Sequence, residues 1–159
     1  MIFVTVGTQD KPFKRIFEMV ENEIEKGTIQ EEVVAQIGCT DFESDKMKVY
    51  KLMKKEQYLD YMKKATFVIT HGGVGSIMDG IKMQKRVISI PRLKKYKEHV
   101  NDHQLQICEK FENDGYIIVA KNEKELESAI KNISKFKTKE YYDNNSNFVS
   151  KLKLAIDNL

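Results

Sequence analysis

The sequence predicts an α/β protein built on one doubly wound parallel sheet. Short apolar runs rich in β-branched residues alternate along the chain with segments whose apolar residues recur every three or four positions. Two of the apolar runs end in glycine-bearing turns, a pattern typical of strands that pass into helices. The chain has 159 residues and no low-complexity tract or Pro/Gly-rich linker, so a single domain is expected over 1–159.

Each predicted strand is a short continuous apolar run, which is typical of strands covered by helices on both faces. The segment 46–52 is less regular and is either a third strand or part of a loop. The predicted strands are residues 1–6, 33–37, 46–52, 65–70, 86–90 and 116–120.

The predicted helices each carry one apolar face. Pro12 suits the first turn of the first helix, and Gly27 ends its apolar pattern. The helix that begins near Asn101 is ended by Gly115. Helices are predicted at residues 12–26, 56–64, 76–81, 101–113 and 123–133, with 139–159 as a C-terminal helix or tail.

The composition argues against several classes of function. The formal net charge is +3 and only three of the 27 basic residues are arginines, whereas nucleic-acid-binding faces are denser and richer in arginine. Lysine clusters at 46–55 and 92–97 are either solvated surface or contacts with anionic lipid headgroups. No apolar run is long enough to cross a membrane and no signal-peptide pattern appears, which predicts a cytoplasmic chain. Cys39 and Cys108 lack metal-site spacing and are predicted to be reduced, packed thiols.

The segment 70–79 joins the end of a predicted strand, three glycines and the start of a predicted helix. Glycines let backbone N–H groups approach a ligand closely, and a helix N-terminus carries a partial positive charge. The segment therefore predicts a phosphate or diphosphate site, although such a turn can also serve only to pack a helix on the sheet. Neither the NAD fingerprint G-x-G-x-x-G nor a G-K-[ST] P-loop is present, which disfavours hydride transfer and NTP hydrolysis.

Three polar loops follow predicted strands and should meet at one edge of the sheet, where ligands bind in such folds. They are residues 7–10, 71–76 and 91–103. We expect His71, between a strand and two glycines, to be exposed at this edge and to face a ligand. His99 and His103 are four residues apart, as metal ligands on a helix can be, but no third ligand is indicated. Asp79, one turn into its helix, is placed to accept hydrogen bonds from a ribose diol.

Taken in order, four segments resemble the C-terminal domain of family 28 glycosyltransferases. Within that family the likeness is to the small catalytic subunit of the dolichol-linked GlcNAc transferase and to subunits of bacterial capsule and exopolysaccharide synthesis. The resemblance implies the donor-binding half of a two-domain GT-B fold. It also implies an inverting transfer from a UDP-sugar without a metal or other cofactor. The four segments are residues 6–9, 70–79, 90–92 and 99–104.

The resemblance also assigns roles to individual residues. The first two loops would hold the diphosphate, Asp79 would take the place of a ribose-binding glutamate, and the residues after 100 would reach the donor sugar. No catalytic base is identified, and His71 is the candidate within this chain. The expected substrate-binding residues are Gly7, Thr8, Gln9, His71, Gly72, Gly73, Gly75, Ser76, Asp79, Asn101, His103 and Gln104.

The chain length leads to an expectation about partners. A GT-B enzyme reacts in the cleft between two domains, and 159 residues have room for one of them. By resemblance, a membrane-anchored subunit would supply the acceptor site, recruit this chain to the inner face of the membrane and present a polyprenyl-diphosphate-linked saccharide. The isolated chain could form a homodimer through its unpaired face. The pattern does not distinguish a hexose from an N-acetylhexosamine as the sugar transferred.

Two other functions remain open from the sequence. The chain could be a non-catalytic nucleotide-binding activator of another transferase, or it could be related to UDP-sugar epimerases. Epimerases of that type carry both domains in one chain, so the length of this chain argues against the second alternative.

Overall fold

A computed structural model describes residues 1–8 and 11–141. Its centre is a sheet of six parallel strands in the order β3-β2-β1-β4-β5-β6. The predicted α/β class and the parallel doubly wound sheet are therefore confirmed. The strands are β1 Ile2–Thr5, β2 Val33–Gln36, β3 Lys48–Tyr50, β4 Val68–Thr70, β5 Val87–Ser89 and β6 Ile118–Val119.

The described residues form five α-helices and two short 3-10 helices. Helices α1 to α4 connect strands and α5 follows β6, while the 3-10 helix Lys94–Tyr96 lies between β5 and α4 and the 3-10 helix Ile133–Lys135 follows α5. The α-helices are α1 Lys14–Glu25, α2 Lys55–Lys64, α3 Val74–Lys82, α4 His103–Asn113 and α5 Glu123–Asn132. None of the described helices combines the length and apolar composition that crossing a bilayer requires.

The two faces of the sheet carry separate hydrophobic layers because side chains alternate along each strand. Val4 and Ile69 point to the layer that includes residues of α1 and α5. Phe3 and Val68 point to the layer that includes residues of α2, α3 and α4. Both faces are thus buried, which explains why the strands are continuous apolar runs in the sequence.

The order of the strands reverses at β1. The chain first moves outward to β2 and β3, and α2 then carries it back to β4, which pairs with β1 on the other side. β1 and β4 end level with each other, with Thr5 paired to Thr70. The loops that follow them diverge on opposite faces of the sheet and leave a crevice, the usual ligand site of such folds.

Several predicted boundaries are wrong. β4 begins at Val68 rather than at 65, because Ala65 still caps α2 with its N–H on the carbonyl of Tyr61. α1 begins at Lys14, so Pro12 lies before the helix rather than in its first turn. The 3-10 helix in the loop after β5 was not predicted. Of the predicted C-terminal segment 139–159, residues 142–159 lie outside the described residues.

The two cysteines differ in environment. Cys108 on α4 is buried, and its sulfur lies 3.0 Å from Ser89 Oγ. Burial raises the pKa of its thiol to about 12, so the group is neutral and behaves as a small core side chain. Cys39 is exposed in the loop after β2, so the prediction of a packed thiol is wrong for this residue.

Candidate functional site

A cavity of about 430 Å³ opens at the carboxyl edge of the sheet, where the loops after β1 and β4 diverge. Its volume lies in the range of small-molecule sites. Seven of the predicted site residues line it: Gly7, Thr8, His71, Gly73, Gly75, Ser76 and Asp79. Five further residues line it that the sequence did not single out: Gln36, Met53, Lys55, Tyr58 and Val74.

The N-terminus of α3 forms one wall of the cavity. Gly73 is the N-cap residue, and no side chain caps this end of the helix. The first intrahelical bond runs from the N–H of Ile77 to the carbonyl of Gly73, so the N–H groups of Val74, Gly75 and Ser76 have no acceptor within the helix. Together with the helix dipole, these three donors favour an anion in the cavity.

His71 lies against the floor of the cavity and is only 3% exposed. The expectation that it would be exposed at the edge is wrong, because its imidazole fills the space left by the absent side chains of Gly7 and Gly73. Neither ring nitrogen has a hydrogen-bond partner. Burial, reinforced by the charge of Arg92, lowers the pKa of His71 to about 3, so the ring is neutral at physiological pH. A neutral imidazole retains one N–H donor, which makes His71 a candidate to bond a ligand oxygen.

A chain of hydrogen bonds fixes the turn after β1. The N–H of Gly7 donates to Thr5 Oγ1 at 3.2 Å, and that hydroxyl donates to Gln36 Oε1 at 2.7 Å. Gly7 has a φ of +70°, which favours glycine at this position. Since its amide is already bonded within the turn, Gly7 contributes space to the cavity rather than a donor.

Asp79, further along α3, also lines the cavity and is bonded by a residue of α2. The hydroxyl of Tyr58 donates to Asp79 Oδ2 at 3.1 Å. Burial, together with the neighbouring Asp79 carboxylate, raises the pKa of Tyr58, which therefore remains a donor at all physiological pH values. The Tyr58 ring packs edge-on against Phe3 at 5.7 Å between centroids, so the hydroxyl is held by the core. Asp79 keeps Oδ1 available for a ligand hydroxyl.

The other predicted residues that the structure describes, Gly72, Asn101, His103 and Gln104, do not line this cavity. A Cβ on Gly72 would stand 2.7 Å from Gln104 Cβ, so Gly72 lets α4 pack closely on the end of β4. Asn101 Oδ1 accepts from the N–H of His103, the first residue of α4, at 3.0 Å. Gln104 is buried, and its Oε1 accepts from the N–H of Arg92 at 3.1 Å. Gln9 lies outside the described residues.

The charged groups around the cavity are few. Asp79 is its acidic residue and Lys55, at the start of α2, its basic one. Within residues 1–8 and 11–141, no group of three His, Cys, Asp or Glu side chains is arranged to hold a metal ion. The cavity therefore offers helix N–H groups, a lysine and a carboxylate, a donor set suited to a ligand with both phosphate and hydroxyl groups.

The chain is also similar to known glycosyltransferases. The model of the glycosyltransferase family 28 C-terminal domain matches residues 1–159. The chain is 39% identical over 51 residues to the UDP-N-acetylglucosamine transferase subunit ALG13 of Candida glabrata. That alignment covers 32% of this chain and 24% of the relative, so it spans about a quarter of the relative's length.

Solved structures share the fold over most of the chain. A solution structure of ALG13 has a TM-score of 0.62 at 22% identity and covers 95% of this chain and 94% of that one. The glycotransferase of kitacinnamycin has a TM-score of 0.60 at 14% identity, covering 98% and 38%. The glycosyltransferase SnogD from Streptomyces nogalater has a TM-score of 0.51 at 14% identity, covering 84% and 38%. This chain thus has the fold of one portion of these larger GT-B enzymes, and with the family model matching its full length it belongs to the glycosyltransferase family 28 C-terminal domain family.

Proposed function

We propose that this chain is the donor-binding and catalytic subunit of an inverting, metal-independent glycosyltransferase. It takes a hexose or N-acetylhexosamine from a UDP-sugar and transfers it to a lipid-linked saccharide in the synthesis of a surface polysaccharide. The observation that supports this function is the cavity at the β1/β4 crevice, which α3 lines both with its open N-terminus and with the Asp79 carboxylate. Anion recognition and diol recognition within one cavity suit a nucleoside diphosphate.

The cavity suggests an order for the parts of the donor. The diphosphate lies at the first turn of α3, where Gly75 and Ser76 offer N–H groups. The ribose then lies at Asp79, and the base extends towards Tyr58 and Met53 on the α2 side. The sugar lies on the opposite side of the diphosphate, towards the N-terminus of α4.

The proposed chemistry depends on stabilising the leaving group. As the bond between the sugar and the diphosphate breaks, negative charge grows on the β-phosphate while the sugar becomes cation-like. The N–H groups at the start of α3 stabilise that charge, and loss of one such donor costs roughly 2.7 to 4 kcal/mol in comparable oxyanion sites. His71 is buried and its pKa is lowered to about 3, which makes it a weak base, and in this proposal the partner subunit supplies the base that activates the acceptor hydroxyl.

The partner in this proposal is a membrane-anchored subunit that binds a polyprenyl-diphosphate-linked acceptor and recruits this chain to the inner face of the membrane. One comparison supports a divided enzyme, because the Candida glabrata relative is itself named a transferase subunit. The same relative makes N-acetylglucosamine the first sugar to test.

Donor binding is tested by calorimetry and thermal unfolding of the 159-residue chain with UDP, UDP-sugars and ADP. UDP should raise the melting temperature, since a ligand that binds only the folded state stabilises it. Asp79→Ala should weaken UDP binding, whereas Asp60→Ala, which removes an exposed carboxylate on α2, should not. Absence of UDP binding at millimolar concentration, with the partner subunit present, would contradict the proposal.

Catalysis is tested separately by combining the chain with a membrane-anchored partner and following transfer of labelled sugar to a lipid acceptor. If this chain binds the reacting donor, Asp79→Ala should reduce transfer in the reconstituted pair. Unchanged transfer by that variant would assign the chain a non-catalytic role as an activator.

A further inference from the structure

Within residues 1–8 and 11–141, the exposed large apolar side chains are concentrated at one edge of the sheet. Among the described residues, three large hydrophobic side chains are exposed: Val100 by 72%, Leu52 by 66% and Tyr96 by 48%. Leu52 follows β3, whereas Tyr96 and Val100 follow β5. Because all strands are parallel, both loops lie at the carboxyl edge, on either side of the β1/β4 crevice.

Exposed lysines flank both apolar loops. Lys51, Lys54 and Lys55 surround Leu52, and Lys94, Lys95 and Lys97 surround Tyr96. None of these six has an ion-pair partner within 1–8 and 11–141. We refer to residues 51–55 and 94–100 together as the lysine rim.

The second loop of the lysine rim also borders an open groove of about 550 Å³. Lys11, Lys94 and Lys97 supply cationic side chains to this groove, and Val100 supplies an apolar one. A ligand that carries an anionic group next to an apolar group could therefore contact lysine side chains and Val100 within the same groove.

The two acidic residues in and beside this loop are bonded within the protein. Glu98 is little exposed, pairs with Arg15 at 2.8 Å and accepts from the N–H of Leu93 at 3.1 Å. Asp102 is exposed, and its Oδ1 accepts from the N–H of Lys94 at 2.8 Å. The charge of Glu98 is thus neutralised by Arg15, whereas Lys94, Lys95 and Lys97 remain exposed.

We propose that the lysine rim docks the protein directly on an anionic membrane surface. Lysine side chains attract anionic headgroups, and exposed Val, Leu and Tyr side chains partition into the interfacial region. The rim offers two separate contact points, one on each side of the β1/β4 crevice, which leaves the crevice itself for the partner subunit. This proposal concerns lipid binding by the chain itself and does not depend on glycosyl transfer.

The choice of basic residue favours a lipid surface over an acidic protein partner. Arginine is suited to fixed bidentate contacts with carboxylates, whereas lysine is a mobile point charge. Here the nearby arginines are engaged within the protein: Arg15 binds Glu98, and Arg92 is fully buried with Nη1 bonded to the carbonyl of Pro12. The outward charges in both loops are lysines, which match a fluid layer of headgroups without fixed geometry.

The test is cosedimentation of the 159-residue chain with vesicles of phosphatidylcholine alone and of phosphatidylcholine with phosphatidylglycerol. Binding should require the anionic lipid and should weaken as salt is added. Each lysine near such a surface contributes about fivefold in affinity, so Lys94→Glu combined with Lys97→Glu should weaken binding by at least about 25-fold. Val100→Ser should weaken it less and leave its salt dependence unchanged.

The matched control reverses two exposed lysines at the opposite edge of the sheet. Lys135→Glu with Lys137→Glu makes the same change in net charge, but these residues flank Phe136, whose carbonyl binds Arg86 at the amino end of β5. The affinity of this control variant for anionic vesicles should stay within a few fold of that of the wild type. Equal binding to neutral and anionic vesicles, equal losses in the two double variants, or no vesicle binding would each overturn the proposal. In the last case, loss of association with a partner subunit in the Lys94/Lys97 variant would assign the rim to protein contact instead.

Discussion

The imidazole of His71 occupies the space that a side chain on Gly73 would need. A Cβ at Gly73 would overlap His71 Cε1, and a Cβ at Gly7 would lie 2.9 Å from His71 Nε2. Gly73 has a φ of −78° and a ψ of 130°, which other residues adopt without strain. The absence of a side chain at Gly73 is therefore explained by the neighbouring ring and not by the backbone.

We predict that Gly73→Ala destabilises the fold by about 1 to 3 kcal/mol, the usual cost of forcing an extra methyl group into packed surroundings. Even Gly73→Ser, which ordinarily improves a helix N-cap, should destabilise it. The matched control is Gly75→Ala, because a Cβ there meets nothing within 4 Å. Denaturant unfolding of the three variants and the wild type measures these differences in stability.

A double-mutant cycle identifies the cause. In a His71→Ala background the methyl group at Gly73 has room, so the cost of Gly73→Ala should largely disappear. An equal cost of Gly73→Ala in both backgrounds would show that the ring is not the reason for the glycine.

The hydrogen bond from Tyr58 to Asp79 gives a second prediction. Tyr58→Phe removes the donor that fixes the carboxylate, and a hydrogen bond to a charged acceptor contributes about 1.5 to 3 kcal/mol. Part of the free energy lost with this hydrogen bond should appear as weaker UDP binding. Without Tyr58 the Asp79 carboxylate is no longer held in place, and UDP must order it on binding. Calorimetric Kd values for Tyr58→Phe, Asp79→Asn and the double variant measure the coupling.

The expected order of affinity is wild type, Tyr58→Phe, then Asp79→Asn. The double variant should bind no more weakly than Asp79→Asn by itself, since Tyr58 acts through that carboxylate. Tyr61→Phe is a suitable control because this tyrosine shares a hydrogen bond with Tyr50 outside the cavity. A Tyr58→Phe variant that binds UDP like the wild type would contradict the positioning role.

Part of the candidate site is local in the sequence. The strand end, the glycine turn and the helix start of 70–79 follow one another directly in the chain, and Gly75, Ser76 and Asp79 line one cavity. Lys55 and Tyr58 reach the same cavity because α2 returns from β3 to β4 across β2 and β1. That return depends on the strand order, which hydrophobic periodicity does not encode.

The burial of His71 was mispredicted for a different reason. Its position between an apolar strand and two glycines suggested an exposed side chain, since glycines commonly mark turns at a surface. In the structure the glycines at 7 and 73 make room for the ring to turn inward. Gly7 is distant in sequence, so its part in this arrangement follows from the pairing of β1 with β4.

The buried imidazole predicts a pH dependence of stability. The pKa of His71 is lowered from 6.5 to about 3 in the folded chain, so the unfolded state binds a proton that the folded state excludes. The contribution of His71 to the free energy of unfolding is therefore fully present above pH 6.5 and is lost as the pH falls towards 3. Between pH 7 and pH 5 the loss should be about 2 kcal/mol.

The measurement compares the free energy of unfolding of the wild type and His71→Asn at both pH values. The variant lacks the titrating group, so its loss between pH 7 and pH 5 should be smaller by about 2 kcal/mol. His99 and His103 are present in both proteins, and their contributions cancel. Parallel pH profiles would show that the folded state accepts a proton on His71 without penalty.

The ion pair between Arg15 and Glu98, which do not line the donor cavity, predicts a large effect on stability. Arg15 Nε lies 2.8 Å from Glu98 Oε2, and Arg15 also donates to the carbonyl of Pro91 at 2.9 Å. The two side chains are only 18% and 9% exposed, so removal of one partner leaves a poorly solvated charge. Glu98→Ala should lower the free energy of unfolding by about 3 kcal/mol. It should also release the loop from Leu93 to Glu98, seen as faster amide exchange there.

The control is Lys131→Ala, which breaks an ion pair with Glu127 in which the lysine is 63% exposed. Water replaces such a partner readily, so this change should leave stability nearly unchanged. Glu98→Gln keeps an acceptor for the N–H of Leu93 but lacks the charge. Its free energy of unfolding should therefore lie between those of Glu98→Ala and the wild type. If Glu98→Ala were as stable as Lys131→Ala, the loop after β5 would be held by its backbone and not by this pair.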